Sequence, residues 1–381
     1  MKKKLSDYLA DAFMFFFKPV GAIWMWSNVR AKVYNHGVNF KRKEPFVLLG
    51  NHVYLFDVVE LALHWRNVPR IVASQLLMTM KPLNILLKYI ARVIPKSKSE
   101  ADVRTAKSLL RSVKMGYPIM IMPEGDTTFF GETGYIEYAT AKLIKKLKID
   151  VITGTFRGGY LSKPRWAVGK RRNRFTELHY RLLISKEELK EMSVDEVYKK
   201  LSEGLFNNDY EWQREHMHKF PGKRLAEGLT QIIYVCPECE SVHTLITSGN
   251  DISCSSCNTK GYIDEYGFVQ GFKYDNLKDW NEFQLNYTEQ LKKTSFEATG
   301  KISTVELDNY KVHEVGDVIA RYENEKLIIS GTIDLNIDLD ELAYPIVTMR
   351  RSFSFEYEGV YYLLKLDNYA LSFLRVCHDK Y

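Results

Sequence analysis

Cysteine is scarce in this sequence, with five residues in 381. That excludes a disulfide-stapled secreted scaffold. Long hydrophobic runs are missing too. No stretch of about 20 uninterrupted apolar residues occurs, which leaves no clear membrane-spanning helix. The apolar run Leu9–Phe17 is broken by Asp11, and no small-residue cleavage site follows it closely, so no secretory leader is expected. Internal repeats and low-complexity tracts are also absent, which argues against a solenoid or a disordered linker protein. What remains is an ordinary globular balance, 45% hydrophobic and 27% charged, in a chain long enough for two or three domains.

The formal net charge is +7, and its location says more than its size. Residues 1–43 hold nine Lys/Arg against Asp7 and Asp11, so the remaining chain sums to zero. A basic excess confined to one end points to an acidic surface as partner, either lipid head groups or nucleic acid. Residues 5–34 read as one or two amphipathic helices. Phe13, Phe15, Phe16, Phe17, Ile23, Trp24, Met25 and Trp26 form an apolar surface interrupted by Lys18-Pro19 and flanked by cations. Such a segment suits a membrane interface. The alternative is a helical pair packed on the protein's own core.

Beyond residue 40, short apolar runs alternate with helical periodicity. Strands are expected at 46–50, 70–74, 92–95, 118–122, 150–156 and 177–184. Helices are expected at 58–65, 82–91, 101–115 and 135–147. This alternation predicts an α/β fold with a mostly parallel sheet flanked by helices. Residues 186–219 are charged and helical, closing that domain near residue 228. Residues 229–270 differ in character, with paired cysteines and turns, and residues 271–381 show alternating strands of a small β-rich α+β domain. The expected organisation is therefore 1–40 interface helices, 41–228 main domain, 229–270 cysteine module and 271–381 β-rich domain.

Two islands in the main domain carry chemistry. Asn51-His52-Val53-Tyr54-Leu55-Phe56-Asp57 follows the first strand, and Met122-Pro123-Glu124-Gly125-Asp126 follows another. Loops at the carboxyl ends of strands build the binding crevice of an open α/β sheet. Five residues of helix turn through about 140°, so His52 and Asp57 can meet only if His52 lies in the turn and Asp57 opens the helix. Asp57 would then fix the imidazole tautomer and leave the other nitrogen as a base. Taken singly, Asp57 reads as a helix cap and Pro123-Glu124-Gly125 as a turn.

Taken together, the HxxxxD island, Ala91-Arg92-Val93-Ile94-Pro95-Lys96, the Pro-Glu-Gly island and Ala139–Lys148 resemble the glycerophospholipid acyltransferase family, over roughly residues 40–185. The best-known members are 1-acylglycerol-3-phosphate acyltransferases. Gly158-Gly159-Tyr160 to Trp166 resembles a bacterial subgroup with a cysteine-rich extension. The resemblance implies that His52 takes the proton of the acceptor hydroxyl and that Asp57 stabilises the imidazolium. The hydroxyl attacks a thioester of coenzyme A or acyl carrier protein directly, with no acyl-enzyme. It places Glu124 and Gly125 beside the substrate, with a backbone N–H near Gly125 facing the oxyanion. The implied product is phosphatidic acid, made from a lysophospholipid by a peripheral enzyme on the cytoplasmic face of the membrane. One departure stands out. The family usually continues Pro-Glu-Gly with Thr-Arg, whose Arg binds phosphate, whereas this chain has Asp126 and Thr127. Lys96, Lys98 and Arg157 are the candidate replacements, and a different lysolipid or glycerolipid acceptor is the alternative.

Cys236-Pro237-Glu238-Cys239 and Cys254-Ser255-Ser256-Cys257 stand fourteen residues apart. Two such knuckles suit four thiolates around structural zinc, a zinc ribbon with no open coordination position. A redox dithiol is the competing reading. His243 lies between the pairs as a spare donor, expected on the surface. Cys377-His378 alone makes no site. The ribbon and the basic segment 163–174 also allow a nucleic-acid-binding protein. The neutral balance outside residues 1–43 and the lack of a groove-reading helix weigh against it, so no nucleic-acid partner is expected. A lipid-binding relative without activity is the third reading, opposed by the presence of both His52 and Asp57.

Overall fold

The structure, a computed structural model, describes residues 5–54, 56–79, 93–96, 103–307, 309 and 311–377. The expected helix 82–91, Lys98 and His378 lie outside these residues. The chain falls into two compact units. One comprises Met1–Thr128, Glu132–Ser162 and Arg174–Glu215, the other Phe129–Gly131, Lys163–Asn173 and His216–Tyr381.

The first unit is built on a seven-stranded sheet. Its strands are β1 (Arg30–His36), β2 (Val47–Gly50), β3 (Arg70–Ser74), β4 (Ile94–Lys96), β5 (Ile119–Ile121), β6 (Val151–Arg157) and β7 (Phe175–Ile184), in the order β1-β7-β6-β2-β5-β3-β4. Five of the six pairings are parallel, and β6 with β7 is antiparallel. The central strand β2 is buried along its whole length, as its unbroken apolar run requires of a strand covered on both faces. Leu109, Ala141, Ile144, Val197, Leu201 and Leu205 from the flanking helices pack into one core with Val47, Leu49, Ile119 and Val151. Each fully buried aliphatic side chain contributes roughly 1.5–3 kcal/mol. The helix Val194–Leu205 shows how local sequence sets this up. Ser193 and Glu196 form a capping box at its start, and Val197, Leu201 and Leu205 recur at helical spacing on the buried face.

At the amino end, helix α1 (Leu5–Asn28) contains Pro19, and α2 (Asp57–Leu63) follows β2. One expectation fails here. Residues 30–36 form β1, pairing parallel with β7, and do not continue the helix. The run Arg-Ala-Lys-Val-Tyr-Asn-His is too polar to announce a strand, and its partner lies far along the chain. Gly154 is needed for packing, since a side chain there would collide with Leu61 of α2 and crowd Tyr180.

The second unit carries two antiparallel sheets. Strands β8 (Leu245–Ser248), β9 (Asp251–Cys254), β10 (Lys260–Ile263) and β11 (Val269–Gln270) form the smaller one. Seven strands form the larger one: β12 (Phe296–Glu306), β13 (Lys311–Glu323), β14 (Lys326–Gly331), β15 (Leu335–Asp338), β16 (Ala343–Thr348), β17 (Ser352–Tyr357) and β18 (Val360–Leu366). The helix Ala370–Cys377 buries Leu371, Phe373 and Leu374, with Phe373 packed against Phe296 and Phe353. Strands with few helices match the α+β expectation for this part.

Candidate functional sites

Strands β2 and β5 are parallel neighbours, so the turns that leave their carboxyl ends emerge side by side. The first turn holds His52 and the second holds Glu124, far apart in sequence but joined by a hydrogen bond. The His52 backbone N–H donates to Glu124 Oε1 at 2.7 Å. The Thr128 N–H donates to the His52 carbonyl at 2.8 Å. Asn51 fastens the other side, with its side chain exchanging two hydrogen bonds with the Phe156 backbone at 2.9 and 2.7 Å.

Asp57 is the first residue of α2, the placement that lets it turn back toward His52. Its Oδ2 lies 2.9 Å from His52 Nδ1 and also accepts the Val53 and Tyr54 backbone N–H groups at 2.7 and 3.2 Å. Asp57 is fully buried, whereas the His52 side chain is 17% exposed. The geometry makes Nδ1 the proton-bearing nitrogen. Among the described residues no protein group bonds Nε2, which is therefore the nitrogen available to a substrate. Burial pulls the imidazole pKa down, but the Asp57 charge and hydrogen bond, with Asp126 and Glu124 adding to them, outweigh it and raise it above the ordinary value.

Glu124 serves as a brace. Its Oε1 takes the His52 N–H and its Oε2 takes the Gly134 N–H at 2.7 Å, so one carboxyl ties two loops together. Burial pushes it up to about 7, against the pull of those two N–H groups. Gly125 has φ +75°, a backbone conformation that explains the glycine. Its N–H bonds the Met122 carbonyl at 3.1 Å. Asp126 Oδ1 accepts the Thr127 N–H at 2.9 Å.

Lys96 is exposed at the end of β4, and Lys98 lies outside the described residues. Arg157 stands on β6 opposite Glu177, and its charge acts on His179. A buried acid that sequence reading missed is Asp209. It accepts the Gly158 and Tyr160 N–H groups at 2.8 and 2.7 Å and the Asn207 side chain at 2.6 Å. Burial raises its pKa to about 6. Nothing in the local sequence marks it, because the backbone N–H groups it accepts lie about fifty residues away.

In the second unit, the ligand atoms of Cys236, Cys239, Cys254 and Cys257 all lie within 4.8 Å of one another. Cys236 and Cys257 Sγ are 3.8 Å apart, and Cys239 and Cys254 Sγ are 3.7 Å apart. These are too long for disulfides and close to the edge, about 3.8 Å, of a tetrahedron with metal–sulfur bonds of about 2.3 Å. Both knuckles turn alike. The Glu240 and Asn258 N–H groups bond the Cys236 and Cys254 carbonyls, and both residues take positive φ. Hydroxyls of Ser241, Thr244 and Thr259 approach the sulfurs at 3.2–3.4 Å. The cluster can hold one metal ion. His243 is not part of it. Its ring is half-buried against Tyr369 and Phe296, and its Nε2 lies 3.0 Å from Ser372 Oγ, which corrects the surface placement.

Residues 32–157, from β1 to the end of β6, match the family model described as Acyltransferase. No curated protein matches the chain. Among solved structures, the chain is similar to the 1-acyl-sn-glycerophosphate (LPA) acyltransferase PlsC from Thermotoga maritima. The two are 16% identical with a TM-score of 0.42, over 55% of this chain and 82% of that one.

Proposed function

We propose, from the premise that residues 32–157 form an acyltransferase domain, that this chain moves a fatty acyl group from an acyl thioester to the free hydroxyl of a lysophospholipid. The observation that carries the reading is the 2.9 Å pairing of His52 Nδ1 with buried Asp57, which leaves Nε2 without a bond from any described residue at the carboxyl end of the central strands. In this mechanism Nε2 removes the hydroxyl proton as the oxygen attacks the thioester carbonyl. Asp57 balances the imidazolium. The carbon–sulfur bond then breaks, and the thiolate leaves as thiol with the proton from Nε2. Glu124 acts from behind, holding the His52 turn.

The acceptor suggested by the family resemblance is 1-acylglycerol-3-phosphate. A second reading, another lysolipid or glycerolipid, is favoured by Asp126 and Thr127 standing after Pro-Glu-Gly, where the family usually carries Thr-Arg. A dianionic phosphate monoester needs several cations or a bidentate arginine. A panel of lysolipids of equal chain length, incubated with labelled acyl-CoA or acyl carrier protein thioester, decides between them. Preference for lysophosphatidic acid supports the first reading. Preference for a zwitterionic or glycosylated acceptor supports the second, and no diacyl product from any acceptor contradicts both.

Two further assignments belong to this reading. The four cysteines hold one zinc ion, which fixes two knuckles together without an open position for chemistry. The chain is peripheral to the cytoplasmic face of the membrane, seated by α1. No described helix is long and apolar enough to cross a membrane. Yet Phe16, Ile23 and Trp26 are 73%, 70% and 64% exposed, a concentration of large apolar side chains on one helix that suits a membrane interface.

A further inference from the structure

Helix α1 has two distinct sides. At about 100° per residue, Lys18, Gly21 and Met25 share one side, and Phe16, Val20 and Ile23 share the other. The first side faces the protein. Lys18 Nζ bonds the Trp65 carbonyl, a side chain at Gly21 would touch Leu63 of α2, and Met25 is fully buried. The second side is exposed, with Trp24 and Trp26 on its two flanks. Arg30 lies over the Trp26 ring at 5.3 Å, and the whole net positive charge of the chain falls within residues 1–43. Aromatic rings beside cations on one apolar stripe suit an anionic lipid surface.

Trp24 does a second thing. Its ring meets Phe56 edge-on, with centroids 4.8 Å apart and planes at 79°. Phe56 immediately precedes Asp57, and its carbonyl accepts the Val59 and Glu60 N–H groups that start α2. The residue at the edge of the exposed stripe therefore touches the residue that sets where the Asp57 carboxylate sits.

We infer that seating α1 on an anionic lipid surface speeds turnover at His52, through the contact of Trp24 with Phe56. The inference rests on the acyl-transfer reading above. Lipid around Val20, Ile23 and Trp24 restricts the indole to the position in which it supports Phe56. Phe56 in turn holds the first turn of α2 and the Asp57–His52 pair in the productive geometry. An edge-on aromatic pair supplies an effect of about three- to tenfold.

The test uses the full chain, an acyl-CoA, and a short-chain lysolipid that stays monomeric in water. Rates are compared with and without vesicles of phosphatidylcholine and phosphatidylglycerol, neither of which has a free acceptor hydroxyl on its glycerol sn-1 or sn-2 carbons. Vesicles should raise the rate of the unmodified protein about three- to tenfold. Trp24→Ala should still sediment with vesicles but turn over at the same rate with and without them. Trp24→Phe should restore most of the stimulation. Phe16→Ser with Ile23→Ser, which leaves Trp24 and Phe56 intact, should need much more lipid for the same stimulation. Product formed at the same rate with and without vesicles overturns this inference and leaves acyl transfer standing. So does full stimulation of Trp24→Ala. No product under any condition overturns the acyl-transfer reading and this inference with it.

Discussion

The two candidate sites are built in opposite ways. The cysteine cluster of the second unit is assembled from one short stretch, Cys236 to Cys257, and its sulfurs face each other with hydroxyls around them. The His52 site is assembled across the sheet. His52 with Asp57, Glu124, and Gly134 come from three separate stretches of chain, and among the described residues no protein group bonds the second imidazole nitrogen. A closed set of like ligands suits a structural ion, whereas an open base beside a buried counter-charge suits chemistry. The contrast also sets what each site loses when a single residue is changed.

The largest effect should come from the closed cluster. Cys236→Ser removes one of four ligands, and structural zinc binding is worth roughly 10–16 kcal/mol in finger peptides. Metal content measured on reduced protein should fall from one ion per chain to near none, with the knuckles unfolding. Retained metal at full occupancy would remove the contrast between the sites.

An intermediate effect should follow Asp57→Asn. The amide cannot stabilise the imidazolium, so turnover should fall roughly 10²-fold or more. The sign of the pH effect follows from the causes of the shift. Asp57 raises the His52 pKa against burial, so the acidic limb of the rate profile should lie above the ordinary histidine value of about 6.5 in the unmodified protein. In Asp57→Asn that limb should move to lower pH.

The smallest effect should come from Glu124→Gln. One backbone N–H would then face the amide NH₂, at a cost of about 1 kcal/mol to stability. The folded carboxyl titrates at about 7, above its unfolded value of about 4.3. Its contribution is present in full below the unfolded value and is lost as pH rises toward and through 7. Denaturant midpoints of Glu124→Gln should therefore decline less between pH 4.5 and 7.5 than those of the unmodified protein. Equal slopes would show that the brace is already ionised.

Much of this was legible in the sequence, for reasons that differ by element. The cysteine cluster depends on spacing within one segment, and spacing is what a sequence states directly. Likewise, placing Asp57 as the opening residue of a helix follows from how far a helix turns in five residues. The mostly parallel sheet follows from the alternation of buried strands and amphipathic helices. The missed features depend on distant partners. Arg30–His36 becomes a strand only because Phe175–Ile184 lies beside it. Glu124 was marked by its motif, but the N–H groups of His52 and Gly134 that bond it are invisible locally. Asp209 carries no local signal, since the Gly158 and Tyr160 N–H groups that it accepts lie about fifty residues earlier.

The account rests most on His52 acting as the base. Its direct test is the rate of diacyl lipid formation by His52→Ala, with folding checked by circular dichroism and metal content. The predicted result is a folded, metal-loaded protein whose turnover falls by roughly 10²–10⁴-fold at every pH. Near-normal turnover in that folded variant would contradict the mechanism outright.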